Sequence, residues 1–168
     1  MIQEWPDVRR RLFNKYPSRV GYNANDRPVD WGECNNARVP MRTAREFKLY
    51  LDPSFRDDFE GSPTHAEAVT YYQDYMREIY RHTEDFFSRT VRNWHQRNVE
   101  YRFSIPTTWK NPRLTDQLKD WLAAAGFTNS HNRRVLVSQT EAEAAAVYAA
   151  KHYEVFYDTA LKSSWTSR

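Results

Sequence analysis

The stretch Val99-Glu100-Tyr101-Arg102-Phe103-Ser104-Ile105-Pro106 sets apolar Val99, Tyr101, Phe103 and Ile105 against polar Glu100, Arg102 and Ser104. That period of two predicts a strand with one packed face, ended by Pro106, which has no backbone N–H to give a ladder. Leu114, Leu118, Trp121 and Leu122 follow at helical spacing, so a helix is predicted from about Pro112 to Ala125, stopped by Gly126. Arg134-Val135-Leu136-Val137 reads as a second strand, and Thr140 to about Tyr153 as an Ala-rich helix. Strand, helix, strand, helix in that order predicts a parallel βαβ unit with a right-handed crossover, the βαβα portion spanning residues 99–156.

Upstream, Thr64 opens the strongest helix of the chain. Pro63 precedes it, and Thr64 with Glu67 fits a capping box, in which each residue's side chain satisfies the other's backbone donor. Val69, Tyr72, Met76, Ile79, Tyr80, Phe86, Phe87, Val91 and Trp94 continue a helical period to about Trp94, as one long helix or two meeting near Arg81-His82-Thr83. Pro17 to Tyr22 and Pro28 to Gly32 read as an irregular hairpin around the turn cluster Asn23-Ala24-Asn25-Asp26. Cys34 to Arg42 reads as a polar loop, and Ala44 to Leu51 as a short helix stopped by Asp52-Pro53. Residues 5–98 thus form a hairpin and long-helix portion of one domain covering 1–168, with a polar tail at 157–168.

At 168 residues the chain can bury a core unaided. Aromatics at 15% argue against disorder despite a mean hydropathy of -0.92. The net charge of +3 is spread over 25 basic and 22 acidic residues. The clusters Arg9-Arg10-Arg11 and Arg133-Arg134 therefore read as solvated faces, with no nucleic-acid partner. Cys34 is the single cysteine, which excludes an internal disulfide and a cysteine metal cage. Neither a signal-peptide core nor a membrane-length apolar run stands out, so a cytoplasmic protein without membrane contact is expected.

Phe103-Ser104-Ile105-Pro106-Thr107-Thr108-Trp109, Ala124-Ala125-Gly126-Phe127, and Leu136-Val137-Ser138 followed by Thr140-Glu141-Ala142-Glu143-Ala144-Ala145-Ala146 resemble, in order, successive motifs of DnaK-type seventy-kilodalton heat-shock ATPases. The version with Trp109 is most similar to a divergent chaperone-like subgroup of filamentous fungi. Trp5-Pro6, Pro17-Ser18, Tyr22 and Trp31-Gly32 match that subgroup's spacing, so the resemblance covers nearly the whole chain. It implies an α/β (α+β) fold: part of an actin-like, ribonuclease-H-like ATPase lobe, the first lobe only, with a βαβ unit and a long-helix subdomain.

The departures carry as much as the matches. The family cradles ATP with two glycine-rich hairpins, whereas this chain has only Gly21, Gly32, Gly61 and Gly126. Close backbone approach to a polyphosphate requires glycine, because any Cβ blocks it. No ATPase activity and no cofactor are expected. Glu141 matches the family's acid near the metal and attacking water, though Ala142 replaces the family's proline; the alternative is a helix N-terminal Glu favoured by the macrodipole. Lys48 is the nearest candidate for the family's phosphate-contacting lysine.

His82 and Asp85 offer no more than two ligands on a polar helix stretch, so no metal is expected. The adjacent pairs Tyr71-Tyr72 and Phe86-Phe87 cannot both face one core, which implies aromatic surface left for a partner, a second copy or an apolar molecule. The resulting expectation is a small-molecule-binding protein built on a stripped ATPase lobe. Its ligand is a small apolar organic molecule, and its sharpest form is a cofactor-free cyclase (a pericyclase) or isomerase of fungal terpenoid or polyketide metabolism. The alternatives are a non-enzymatic chaperone-like interaction module, including a homodimer, and a decayed or truncated fragment with no activity of its own. Candidate residues are Glu141 for catalysis, and Trp109, Tyr101, Trp31 and Arg19 for lining a pocket or holding a carboxylate. Trp109 and Glu141 fall at the strands' C-terminal ends, where ligands gather in open α/β sheets.

Overall fold

The computed structural model describes residues 16–34, 42–55, 59–109, 111–151 and 153. Arg9-Arg10-Arg11, the Trp5-Pro6 match, most of the predicted loop after Cys34 and the polar tail lie outside them. The fold is mixed α and β. In chain order come β1 (Arg19–Tyr22), β2 (Pro28–Trp31), β3 (Arg42–Arg45), α1 (His65–Thr90), β4 (Val99–Ile105), α2 (Arg113–Ala125) and β5 (Arg133–Thr140), followed by a helical segment over 141–151.

Two sheets form. β1 is the centre of an antiparallel sheet ordered β2-β1-β3, with an irregularity between Gly21 and Tyr22 in its pairing with β2. β4 and β5 pair in parallel from Val99↔Arg133 to Ile105↔Thr140, and α2 packs against β5. The predicted hairpin and the parallel pair are both present. The predicted helix over Ala44–Leu51 is not: Arg42–Arg45 is a strand on the open edge of β1, and a single 3-10 turn covers Leu49–Leu51. Glu46 at φ 57 separates the two, so the chain reverses there instead of coiling.

α1 is one continuous helix of 26 residues. The capping box sets its start: the Thr64 N–H donates to Glu67 Oε2 at 2.9 Å, and the Glu67 N–H donates to Thr64 Oγ1 at 3.3 Å. The helix stops at Thr90, short of Trp94, because Val91 is extended and Asn93 takes φ 57.

Two sides of α1 are covered, and this corrects the reading of Tyr71-Tyr72. Tyr71 packs with Tyr22 and Phe47 from the antiparallel sheet side, while Tyr72 meets Trp121 of α2. Adjacent residues about 100° apart on a helix are both buried when elements flank it on two sides. Tyr71 and Tyr72 are 8% and 6% exposed, so no surplus aromatic face remains there. Phe86 and Phe87 contact each other edge to face, and Phe87 stacks on Trp94. Among the described residues no helix is long and apolar enough to cross a membrane.

Candidate functional site

The expected site residues do not converge. Arg19 opens β1 opposite Arg45 and is exposed. Trp31 ends β2 and sets its ring against Tyr16, Tyr75 and His82. Tyr101 lies in β4 against Tyr80 and Phe127. Tyr75 and His82 are about 20° apart around α1, whereas Tyr80 stands roughly 140° from Tyr75. Trp31 and Tyr101 therefore meet different faces of the helix. Trp109 follows the end of β4 and packs partly buried against the core, while Glu141 begins the last helical segment in the open. Glu143, not Glu141, closes the capping box there, accepting from the Thr140 N–H at 2.7 Å. Lys48 is exposed. Burial and the nearby Asp30 push the Cys34 thiol up to about 11, away from nucleophilic use.

Polar chemistry collects elsewhere, around Glu84. Its carboxylate accepts from the Trp94 indole N–H at 3.0 Å, from the Tyr101 hydroxyl, and from Arg133 Nε and Nη2 at 3.4 Å each. Arg133 also donates to the carbonyls of Arg97, at 2.8 Å, and Trp94, at 3.4 Å, and lies over the Trp94 ring. The Arg133 side chain is 3% exposed and that of Glu84 18%. Arg133 is thus no part of a solvated face, although Arg134 is. Strand alternation explains the split: Arg133 shares the inward side with Val135 and Val137, and Arg134 points out.

Burial raises the Glu84 carboxyl, but hydrogen bonds from Tyr101, Arg133 and Trp94 outweigh it and hold the group below the usual carboxylate range. Burial, and then the bond to Glu84, push the Tyr101 phenol far above its ordinary 10.0. Tyr101 does hold a carboxylate, but one belonging to the protein itself. The signal for Glu84 was present in the sequence: it occupies an apolar position in the run Met76, Tyr80, Glu84, Phe87.

Beside this junction an open cleft of about 440 Å³ is lined by Asn98, Val99, Glu100, His131, Asn132, Arg133 and Arg134. It lies at the N-terminal ends of β4 and β5, opposite the end that carries Trp109 and Glu141. Its wall is fixed. The Asn132 side-chain amide donates to the carbonyls of His95 and Arg97 at 2.9 and 2.8 Å, and the Asn132 carbonyl accepts the Val99 N–H at 2.8 Å. On the outer face Glu100 accepts from Arg102 and from Arg134. Six of the seven lining residues are polar types and none is the Trp, Tyr or Phe expected from the aromatic composition, although the surface they turn to the cleft is more apolar than polar. Among the described residues, no group of three or more His, Cys, Asp or Glu gathers as metal ligands. Comparison of the chain with protein-family models, with curated proteins and with solved structures finds no match.

Proposed function

We propose that this chain is a small-molecule-binding protein without ATPase activity, and that its ligand occupies the cleft at the N-terminal ends of β4 and β5. The observation that carries the reading is the fixed wall. Asn132 ties the 95–97 turn to the start of β5, and buried Arg133 ties both to α1 through Glu84. Asn132 and Arg133 are held before a ligand arrives, so this part of the wall loses little ordering entropy on binding. Its volume falls within the range of small-ligand sites. The resemblance to a heat-shock ATPase lobe supplies an origin for the βαβ frame, and four glycines in the whole chain supply the reason for no phosphate-cradling loops.

A second reading, the interaction or dimerisation module, is favoured by one observation. The helical segment 141–151 is exposed at all but one position, with Val147 46% and Tyr148 61% exposed, and Tyr153 beyond it 68%. Amide chemical-shift mapping separates the two. A panel of small neutral, cationic and anionic polar molecules is expected to perturb residues 98–100 and 131–134. Responses confined to 106–109 and 141 would move the site to the opposite end of the sheet. Concentration-dependent broadening over 141–151, with no compound bound, would favour the module.

A further inference from the structure

We infer that the cleft receives an oxyanion, the carboxylate or phosphate end of its ligand, with Arg134 as the grip and Asn98 and His131 as neighbouring polar groups. This rests on the cleft being the binding site and adds the chemistry of what enters it. The first ground is charge. The cleft is lined by Arg133, Arg134 and Glu100, and with their ion-pair partners Glu84 and Arg102 three guanidinium groups meet two carboxylates. One positive charge is in excess even with His131 neutral. A cationic ligand would face that excess; an anionic one is drawn to it.

The second ground is how Glu100 is held. Arg102 Nε donates to its Oε1 at 2.6 Å, while Arg134 Nε donates to its Oε2 at 2.6 Å. Glu100 therefore keeps a cationic partner if Arg134 leaves. The Arg134 side chain is 71% exposed and that of Glu100 21%, so solvent reaches the guanidinium end of the pair and lowers the cost of transferring it to a ligand. Arg134 Nε and Nη2 both donate to the single oxygen Oε2 of Glu100, whereas a planar fork of N–H donors fits the two oxygens of an incoming carboxylate or phosphate. Arg133 cannot make that exchange, because it is buried and committed to Glu84, Trp94 and Arg97. It supplies fixed charge beneath the site.

The test uses the 15N-labelled chain of residues 1–168 at low ionic strength, titrated separately with inorganic phosphate, succinate, acetamide and tetramethylammonium. Phosphate, succinate or both are expected to shift the amides of 98–100 and 131–134 saturably, with a dissociation constant on the order of 1 mM that weakens as salt rises. The two anion arms show which oxyanion is preferred. R134Q is expected to weaken binding about tenfold. E100Q removes the competing carboxylate and is expected to tighten it. Both side chains sit on the solvent face of the sheet, and an otherwise unchanged amide spectrum verifies the fold of each variant. Saturation by acetamide or tetramethylammonium without response to either anion would overturn the oxyanion inference and leave the cleft standing. Silence from all four probes would sink both. Anion binding that R134Q leaves untouched would also overturn the inference.

Discussion

Replacing Glu84 by Gln keeps the side chain's shape and one acceptor oxygen but removes its charge, leaving Arg133 buried without an anion. Removing one partner of a buried ion pair costs about 3–5 kcal/mol. Contacts of 3.4 Å and a Glu84 side chain still 18% exposed place this pair at the low end, so about 3 kcal/mol is expected. For a domain of this length that corresponds to a fall in Tm of about 6–12 °C. Urea unfolding followed by tryptophan fluorescence measures it, and Trp94 itself lies at the junction. R133M is expected to cost at least as much, since it also leaves the Trp94 and Arg97 carbonyls without their donor. The double variant E84Q/R133M should be more stable than the sum of the two losses predicts, by about 1–2 kcal/mol, because neither charge is then stranded.

The pH dependence gives an independent check. Glu84 is held below its ordinary 4.5 in the folded chain, so its contribution is fully present above that value. It is lost as pH falls through the folded value. The stability gap between wild type and E84Q should therefore be widest near neutrality and narrow in acid as pH falls below about 4.5. A gap under about 1 kcal/mol that stays constant with pH, together with additive single variants, would refute the view that Glu84 and Arg133 act as an ion pair.

Three further outcomes follow from the same structure. Gly126 caps α2 at φ 115, and a Cβ there would lie 2.9 Å from Tyr80 Cδ1, so G126A should cost about 1–3 kcal/mol in urea unfolding; an unchanged midpoint would contradict the left-handed cap. Tyr22 and Tyr101 are both held well above the ordinary 10.0, in each case by burial first and then by a carboxylate, Asp74 or Glu84. Their contribution to stability is present below pH 10.0 and lost as pH rises beyond it. Spectrophotometric titration should show late-ionising tyrosines that Y22F and Y101F each reduce, and normal ionisation of every tyrosine would contradict this. Finally, Trp109→Ala should lower stability through lost core contact yet leave the response of 98–100 and 131–134 to ligands unchanged, whereas loss of that response would place the ligand at the other end of the sheet.

The βαβ unit was legible because its periods are unmixed. Tyr101, Phe103 and Ile105 keep one strand face, Leu114, Leu118 and Leu122 keep one helix stripe, and Gly126 supplies the conformation the stop requires. The Thr64–Glu67 box fixed the start of α1 just as locally. Ala44–Leu51 misled because Phe47 and Leu51 repeat at i,i+4 and are both buried, as a helix would have them. Whether Arg42–Arg45 extends depends on the open edge of β1, twenty residues earlier, and strand preference follows such context. The Glu84–Arg133 pair spans 49 residues, and nothing local joins the two. Half of it could still be read: once Val135 and Val137 face inward, alternation sends Arg133 inward too, and a buried arginine requires an acid.

The position of α1 separates the residues expected to line one pocket. A helix with its side chains is about 10 Å across. Trp31 with Tyr75 and His82 lies against one face of it, Tyr101 with Tyr80 and Glu84 against another, so a single small ligand cannot touch both sets. Much of the aromatic wealth that suggests an apolar pocket covers α1 instead: Tyr71 and Tyr75 meet Tyr22 and Phe47 on one side, and Tyr72 meets Trp121 on another. Polar groups not absorbed by that packing collect where the strands begin, and there an exposed arginine can exchange partners without stranding a carboxylate. On the proposed reading, recognition at this rim is electrostatic and should strengthen when Glu100 loses its charge; a ligand held by the aromatic core would be indifferent to that change.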